Sequence, residues 1–163
     1  MKKALCLICV VILLMIPSPV FARELPDEQM NVRILTPAEA ERLYFDLAFD
    51  ETIQPYSDLG VCDICISESN GELIVVYSTT CRGIADKIGV RNMTLQQKKG
   101  LKWKEIVLRS EYSENTDAYF GGFILEAPEI GGKYRVKGTH YIIKDSVETS
   151  RYAETDTYVM PDK

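Results

Sequence analysis

The stretch Cys62-Asp-Ile-Cys-Ile-Ser-Glu-Ser-Asn-Gly-Glu-Leu-Ile-Val-Val-Tyr-Ser-Thr79 decides the fold. Two runs rich in β-branched residues meet at Asn70-Gly71, a pair suited to a two-residue hairpin because both central positions of that turn need positive φ. Counting outward from Ser69 opposite Glu72 sets Ile66 against Val75, Ile64 against Tyr77 and Cys62 against Thr79. One face is then almost wholly apolar and is expected to meet a core.

The same texture of short β-branched and aromatic segments between turn residues runs from Gly60 to the C-terminus. Strands are expected near 60–67, 72–80, 84–96, 101–112, 117–126, 132–144 and 147–159. That count and spacing predict a mainly β domain over 59–163, a seven-stranded antiparallel β-sandwich of the immunoglobulin-like kind. In the last hairpin, a turn at Asp145-Ser146 sets Lys137 opposite Glu154 and Arg135 opposite Asp156, cross-strand ion pairs of roughly 0.2–1 kcal/mol each. The other face then sets Tyr134 against Thr157, Val136 against Thr155 and Gly138 against Ala153, large against small. Lys98-Lys99-Gly100 reads as a three-residue turn with Gly100 left-handed, and Gly121-Gly122 as a bulge or a close backbone approach.

Upstream, Lys2 and Lys3 precede an uninterrupted apolar run from Ala4 to Ile16, and Val20-Phe-Ala22 supplies the small residues a signal peptidase reads. Residues 1–22 are therefore expected to be a signal peptide cleaved after Ala22, since this run is shorter than the ~20 residues a spanning helix needs. Cys6 and Cys9 stand at the front of the run, where a lipoprotein signal would need its cysteine at the end. Export without a stable membrane anchor follows. Of the 163 residues 141 would remain, with 17 basic side chains against 24 acidic and a net charge of −7, which disfavours nucleic acid as a partner.

Residues 23–58 read as a polar leader carrying a short helix at 37–48. Thr36 can cap it, Pro37 suits its first position and Glu39 completes a capping box. Ala40, Leu43, Tyr44 and Leu47 form an apolar stripe expected to dock on the chain's own domain, and Gln54 to Asp58 break the pattern.

The exported part keeps Cys62, Cys65 and Cys81. In the hairpin register Cys62 and Cys81 lie one diagonal step apart on one face, so a Cys62–Cys81 disulfide is the expected pairing in an oxidising compartment. The spacing Cys62-x-x-Cys65 falls within a strand rather than at a helix N-terminus, which argues against a redox motif, and no tight turn separates the two cysteines as a zinc site would need. His140 is the only histidine and alternates with Val136 and Gly138 on an inward face, the pattern of a structural histidine. No metal, cofactor or catalytic constellation is expected. The acidic residues Glu148, Glu154 and Asp156 sit on the presumed outer face opposite basic partners, and a hydrolase built on acidic loops is the weakest alternative. Trp103, Tyr119 and Tyr141 are the candidate binding surface, because sugar rings stack on such groups, although a Trp in a small sandwich more often belongs to the core.

Gly60-Val-Cys-Asp-Ile64, Ala85-Asp-Lys-Ile-Gly-Val90, Thr94-Leu-Gln-Gln97 with Trp103, and Tyr134-Arg-Val-Lys-Gly-Thr-His140 resemble a domain-of-unknown-function family of small secreted proteins from Gram-positive anaerobes. The resemblance covers nearly the whole exported domain. It implies export and a single sandwich-like module, and brings no catalytic residue. The functional expectation is a non-catalytic extracellular module binding a protein or a glycan, with a structural or assembly role at the cell surface as the second reading.

Overall fold

A computed structural model describes residues 31–47 and 58–162. The expected signal segment, the leader up to residue 30, position 48 of the expected helix and the break at 54–57 lie outside the described residues. No helix among the described residues is long and apolar enough to cross a membrane. In chain order the elements are β1 (Val32–Ile34), α1 (Pro37–Leu47), β2 (Leu59–Ser69), β3 (Glu72–Lys99), β4 (Lys102–Leu125), β5 (Lys133–Lys144), β6 (Val147–Glu154) and β7 (Tyr158–Val159). All seven strands pair antiparallel within one sheet that does not close into a barrel.

The β2–β3 hairpin has the register its turn dictates, with Ile66 opposite Val75, Ile64 opposite Tyr77 and Cys62 opposite Thr79. Asn70 and Gly71 take φ of 55° and 82°. Val75, Tyr77 and Thr79 are fully buried, as the apolar face requires.

The seven strands are divided differently from the expectation. Segments 72–80 and 84–96 are one strand of 28 residues, and 101–112 and 117–126 are one of 24. Gly83 at φ 74° lies in the bulge where the β3–β4 register slips between Thr80 and Ala85, and Asn115 at φ 54° stands on β4 next to the Ala85–Thr116 pair that closes it. A bulge of this kind bends a strand pair sharply without ending it. The bend divides the sheet into an upper layer, containing β1, β2 and the adjoining parts of β3 and β4, and a lower layer with the remainder of β3 and β4 plus β5, β6 and β7. Val75 and Tyr77 from above pack in one core with Tyr134, Val136 and Ile142 from below. The result is sandwich-like, with its two layers joined through the bend.

Helix α1 covers the outer face of the upper layer. Its capping box forms as expected, Thr36 N–H donating to Glu39 Oε2 at 2.8 Å and Glu39 N–H to Thr36 Oγ1 at 3.3 Å. Ala40, Leu43, Tyr44 and Leu47 dock on Ile74, Val76 and Ile124 beside Cys65 and Phe120. The run Leu73-Ile-Val-Val-Tyr77 is apolar on both faces because both faces are covered, one by the core and one by this helix.

At the last hairpin Asp145 and Ser146 both take positive φ, and the register sets Lys137 opposite Glu154 and Gly138 opposite Ala153 as read, although the Glu154 carboxylate takes Arg135 rather than Lys137 as its ion-pair partner. Beyond Glu154 the register changes. Thr155 N–H donates to Val136 O at 2.9 Å, while Thr155 Oγ1 accepts the Val136 N–H at 3.0 Å in place of a backbone carbonyl. The chain then gains a residue, so Tyr134 meets Tyr158 rather than Thr157, and Arg135 bonds Glu154 at 2.6 Å rather than pairing with Asp156. The turn after β3 is also tighter than expected: Lys99 pairs Lys102, leaving Gly100-Leu101 as a two-residue turn with Gly100 at φ 62°. Gly121 and Gly122 mark a close approach and no bulge, since added Cβ atoms would lie 2.4 Å from the Tyr77 ring and 2.5 Å from Val75 O.

Candidate functional site

Strand alternation sends Ile88, Val90, Leu95, Val136 and Ile142 of the lower layer into the core. It sends Lys87, Gly89, Arg91, Thr94, Gln96, Arg135, Lys137, Thr139, Tyr141 and Tyr152 to the opposite face, on which the described residues place no helix. Both ladders of β3 slip at one place on this face, between Val90 and Met93 toward β4 and between Arg91 and Thr94 toward β5. Asn92 is the residue that breaks the ladder, held at φ 52° with its N–H on Ser110 Oγ at 3.0 Å and its carbonyl on Thr94 Oγ1 at 2.8 Å. Asparagine tolerates this left-handed conformation better than most residues.

The bulge opens a groove of about 370 Å³ lined by Asn92, Thr94, Glu105, Leu108, Lys137, Gly138, Thr139 and Tyr152. Its polar side chains are an amide, three hydroxyls, a carboxylate and an ammonium, so the lining includes both donors and acceptors. Tyr152 is 59% exposed and Leu108 55%, giving apolar area on either side.

Neighbouring side chains are fixed by a chain of hydrogen bonds. The Tyr152 hydroxyl donates to Glu154 at 2.6 Å, which holds its phenol above the ordinary value. Glu154 accepts from Arg135 Nη1 at 2.6 Å, and Arg135 Nε–H donates to Gln96 Oε1 at 2.9 Å. The Arg135 guanidinium lies 4.3 Å from the centre of the Trp103 ring. Trp103 is half-buried at this end of the face, so two aromatic rings are tied to one polar network.

Trp103, Tyr119 and Tyr141 do not form one surface. Tyr119 is buried in the interior, where its hydroxyl and that of Tyr77 both donate to Glu111 Oε2, at 2.8 and 3.1 Å, and Arg109 pairs with the same carboxylate. Burial raises both phenols, so they stay protonated donors. Tyr141 lies on the outer face but is 7% exposed beneath the Arg91 guanidinium, 4.5 Å from its ring centre. Tyr152 was the aromatic to find. The outward phase of Lys137 and Glu154 carries Tyr152 outward two residues earlier, a signal present in the hairpin register. For Tyr119 the adjoining glycines leave the alternation without a clear apolar phase.

His140 is fully buried, its Nδ1 2.8 Å from Thr79 Oγ1, which also lies 3.2 Å from Gly89 O. Its Nε2 is buried with no hydrogen-bond partner among the described residues. Burial lowers its pKa to about 4, with Asp63 opposing and Arg151 reinforcing the shift, so the ring is neutral near pH 7. It lies on the core side of β5, away from the groove.

The Cys62–Cys81 bridge does not form, and Cys62, Cys65 and Cys81 are free thiols. A bulge between Leu59 and Cys62 sets Cys81 opposite Leu59, and the Cys81 thiol donates to Gly83 O at 2.9 Å instead. Burial pushes Cys62 up to about 11 and Cys65 up to about 12, which suppresses the thiolates that nucleophilic or metal chemistry would use. No cluster of three or more His, Cys, Asp or Glu suited to a metal occurs among the described residues. Comparisons with family models, curated proteins and solved structures return no match.

Proposed function

We propose that this chain is a secreted, non-catalytic module that binds a glycan of the cell exterior on the outer face of its lower layer. The observation that carries the reading is the bulge groove at Asn92, where short polar side chains converge beside the exposed ring of Tyr152. A pyranose offers hydroxyls around its rim and a C–H face, and a groove of mixed hydrogen-bonding groups beside an aromatic plane complements both. Glu105 and Lys137 contribute opposite charges to the lining, which suits a neutral or weakly charged saccharide. Export is part of the proposal and rests on the N-terminal segment together with the family resemblance. The apolar stripe of α1 is spent on the chain's own sheet, which takes away the main support for protein assembly through that helix.

Calorimetric titration of the purified protein with solubilised cell-wall polysaccharides and their oligosaccharides tests the reading. Tyr152→Ala and Lys137→Ala are each expected to weaken binding about tenfold, the equivalent of ~1.4 kcal/mol. Undiminished affinity in both variants would remove the groove from the account.

A further inference from the structure

A second groove, of about 660 Å³, runs along the seam where the folded sheet stays open. One wall is Ile64, Cys65, Ile66 and Ser67 of β2; the other is Thr155, Asp156, Thr157 and Tyr158; Asp46 and Leu47 of α1 flank it. Successive residues of a strand point to opposite faces, so four in a row line one groove only when it follows the strand's edge. The pairings agree. Along one edge β2 is bonded to β3, and it pairs with no other strand among the described residues. The opposite wall is bonded to β5 on its far side, through Thr155 N–H to Val136 O at 2.9 Å and the Tyr134–Tyr158 pair. Toward the start of β2 the seam is bridged, Arg151 Nη1 donating to Gly60 O at 3.4 Å.

We propose that this trough takes an extended peptide as an added strand, with basic and apolar side chains at alternate positions. A strand edge presents N–H and C=O groups that a peptide backbone can pair, while side-chain pockets set the choice of partner. Leu47, Ile64, Ile66 and Tyr158 supply apolar lining, Asp46 and Asp156 supply carboxylates, and none of the lining residues is basic. A second copy of this chain would oppose acid to acid, whereas a basic peptide complements both carboxylates. Four residues at a rise of about 3.3 Å give a trough roughly 13 Å long, enough for a short strand. This inference is independent of the glycan reading, because the groove at Asn92 shares no residue with the trough.

The test uses a fluorescein-labelled octapeptide of alternating valine and lysine, added to the purified protein and followed by anisotropy. A second peptide of equal charge carries proline in place of two valines and cannot pair as a strand. Saturable binding is expected, weakened at least about tenfold by the proline substitutions and by Asp156→Lys, an exposed position. On this edge the Ile64 N–H is held by Asp63 Oδ1 at 2.8 Å, so the amide whose hydrogen exchange should slow when the first peptide binds is that of Ile66, which the hairpin register turns away from β3. Equal affinity for the two peptides, no binding of either, or slowed exchange only around Asn92 would each overturn the proposal.

Discussion

His140 is the only histidine in the chain, so one acid transition can be assigned to one side chain. The fold holds its ring neutral by burial and lowers its pKa to about 4, against an ordinary value of 6.5. Stability from a depressed histidine is fully present above the unfolded pKa and is lost as pH falls from about 6.5 toward 4, because the unfolded chain takes up the proton first. At 1.36 kcal/mol per pKa unit, the loss relative to neutral pH is about 2 kcal/mol at pH 5 and about 3 kcal/mol at pH 4. Glu39 and Glu129, whose carboxyls are held below their usual values by Thr36 and by Lys99, add their dependence below about pH 4.5 and leave the interval above it to His140. The assay is urea unfolding at half-unit steps of pH on the parent and on His140→Gln, with the imidazole C2 proton followed by NMR in the folded protein. The parent should lose stability between pH 6.5 and 4.5, and the variant should be nearly flat there. Equal slopes in the two proteins, or an imidazole titrating near 6.5 in the fold, would refute the reasoning.

Three more outcomes follow from local geometry. Gly89→Ala would place a Cβ 2.1 Å from Glu111 O and 2.6 Å from Tyr112 Cα, both backbone atoms, and should cost about 3 kcal/mol in denaturant unfolding. At Asn92, φ 52° makes glycine nearly neutral and valine destabilising by about 1–2 kcal/mol, a contrast measurable by thermal unfolding of the two variants. Alkylation in denaturant without reductant, read by intact mass of a chain starting at residue 23, should modify all three of Cys62, Cys65 and Cys81, and one blocked pair would restore the bridge that the bulge at Leu59 argues against.

The parts of the fold legible in sequence are those governed by neighbours in the chain. Asn70-Gly71 and Asp145-Ser146 set their hairpins because turn chemistry and alternation agree, and Thr36 with Glu39 marks the helix start for the same local reason. The gaps expected between strands at 81–83 and 113–116 hold Gly83 and Asn115, and a left-handed residue looks alike in a turn and in a bulge; only the pairing of Thr80 with Ala118 and of Ala85 with Thr116 makes each strand continuous through a bend. The change of register after Glu154 depends on the Thr155 hydroxyl replacing a carbonyl, which no alternation pattern encodes. The candidate groove was half legible. Tyr152 follows from the phase of its hairpin, while Asn92 becomes its floor only because two ladders slip together, a relation among β3, β4 and β5 rather than a property of Arg91-Asn-Met-Thr94.

The proposed glycan surface is the outer face of the lower layer. Backbone amide NMR of the labelled protein, titrated with the polysaccharide fragments that calorimetry selects, tests it most directly. The account predicts shifts concentrated at Asn92, Thr94, Lys137, Thr139 and Tyr152, with the helix-covered face around Ile74 and Val76 unchanged. Shifts absent from these five residues, or no binding across neutral cell-wall glycans, would contradict it.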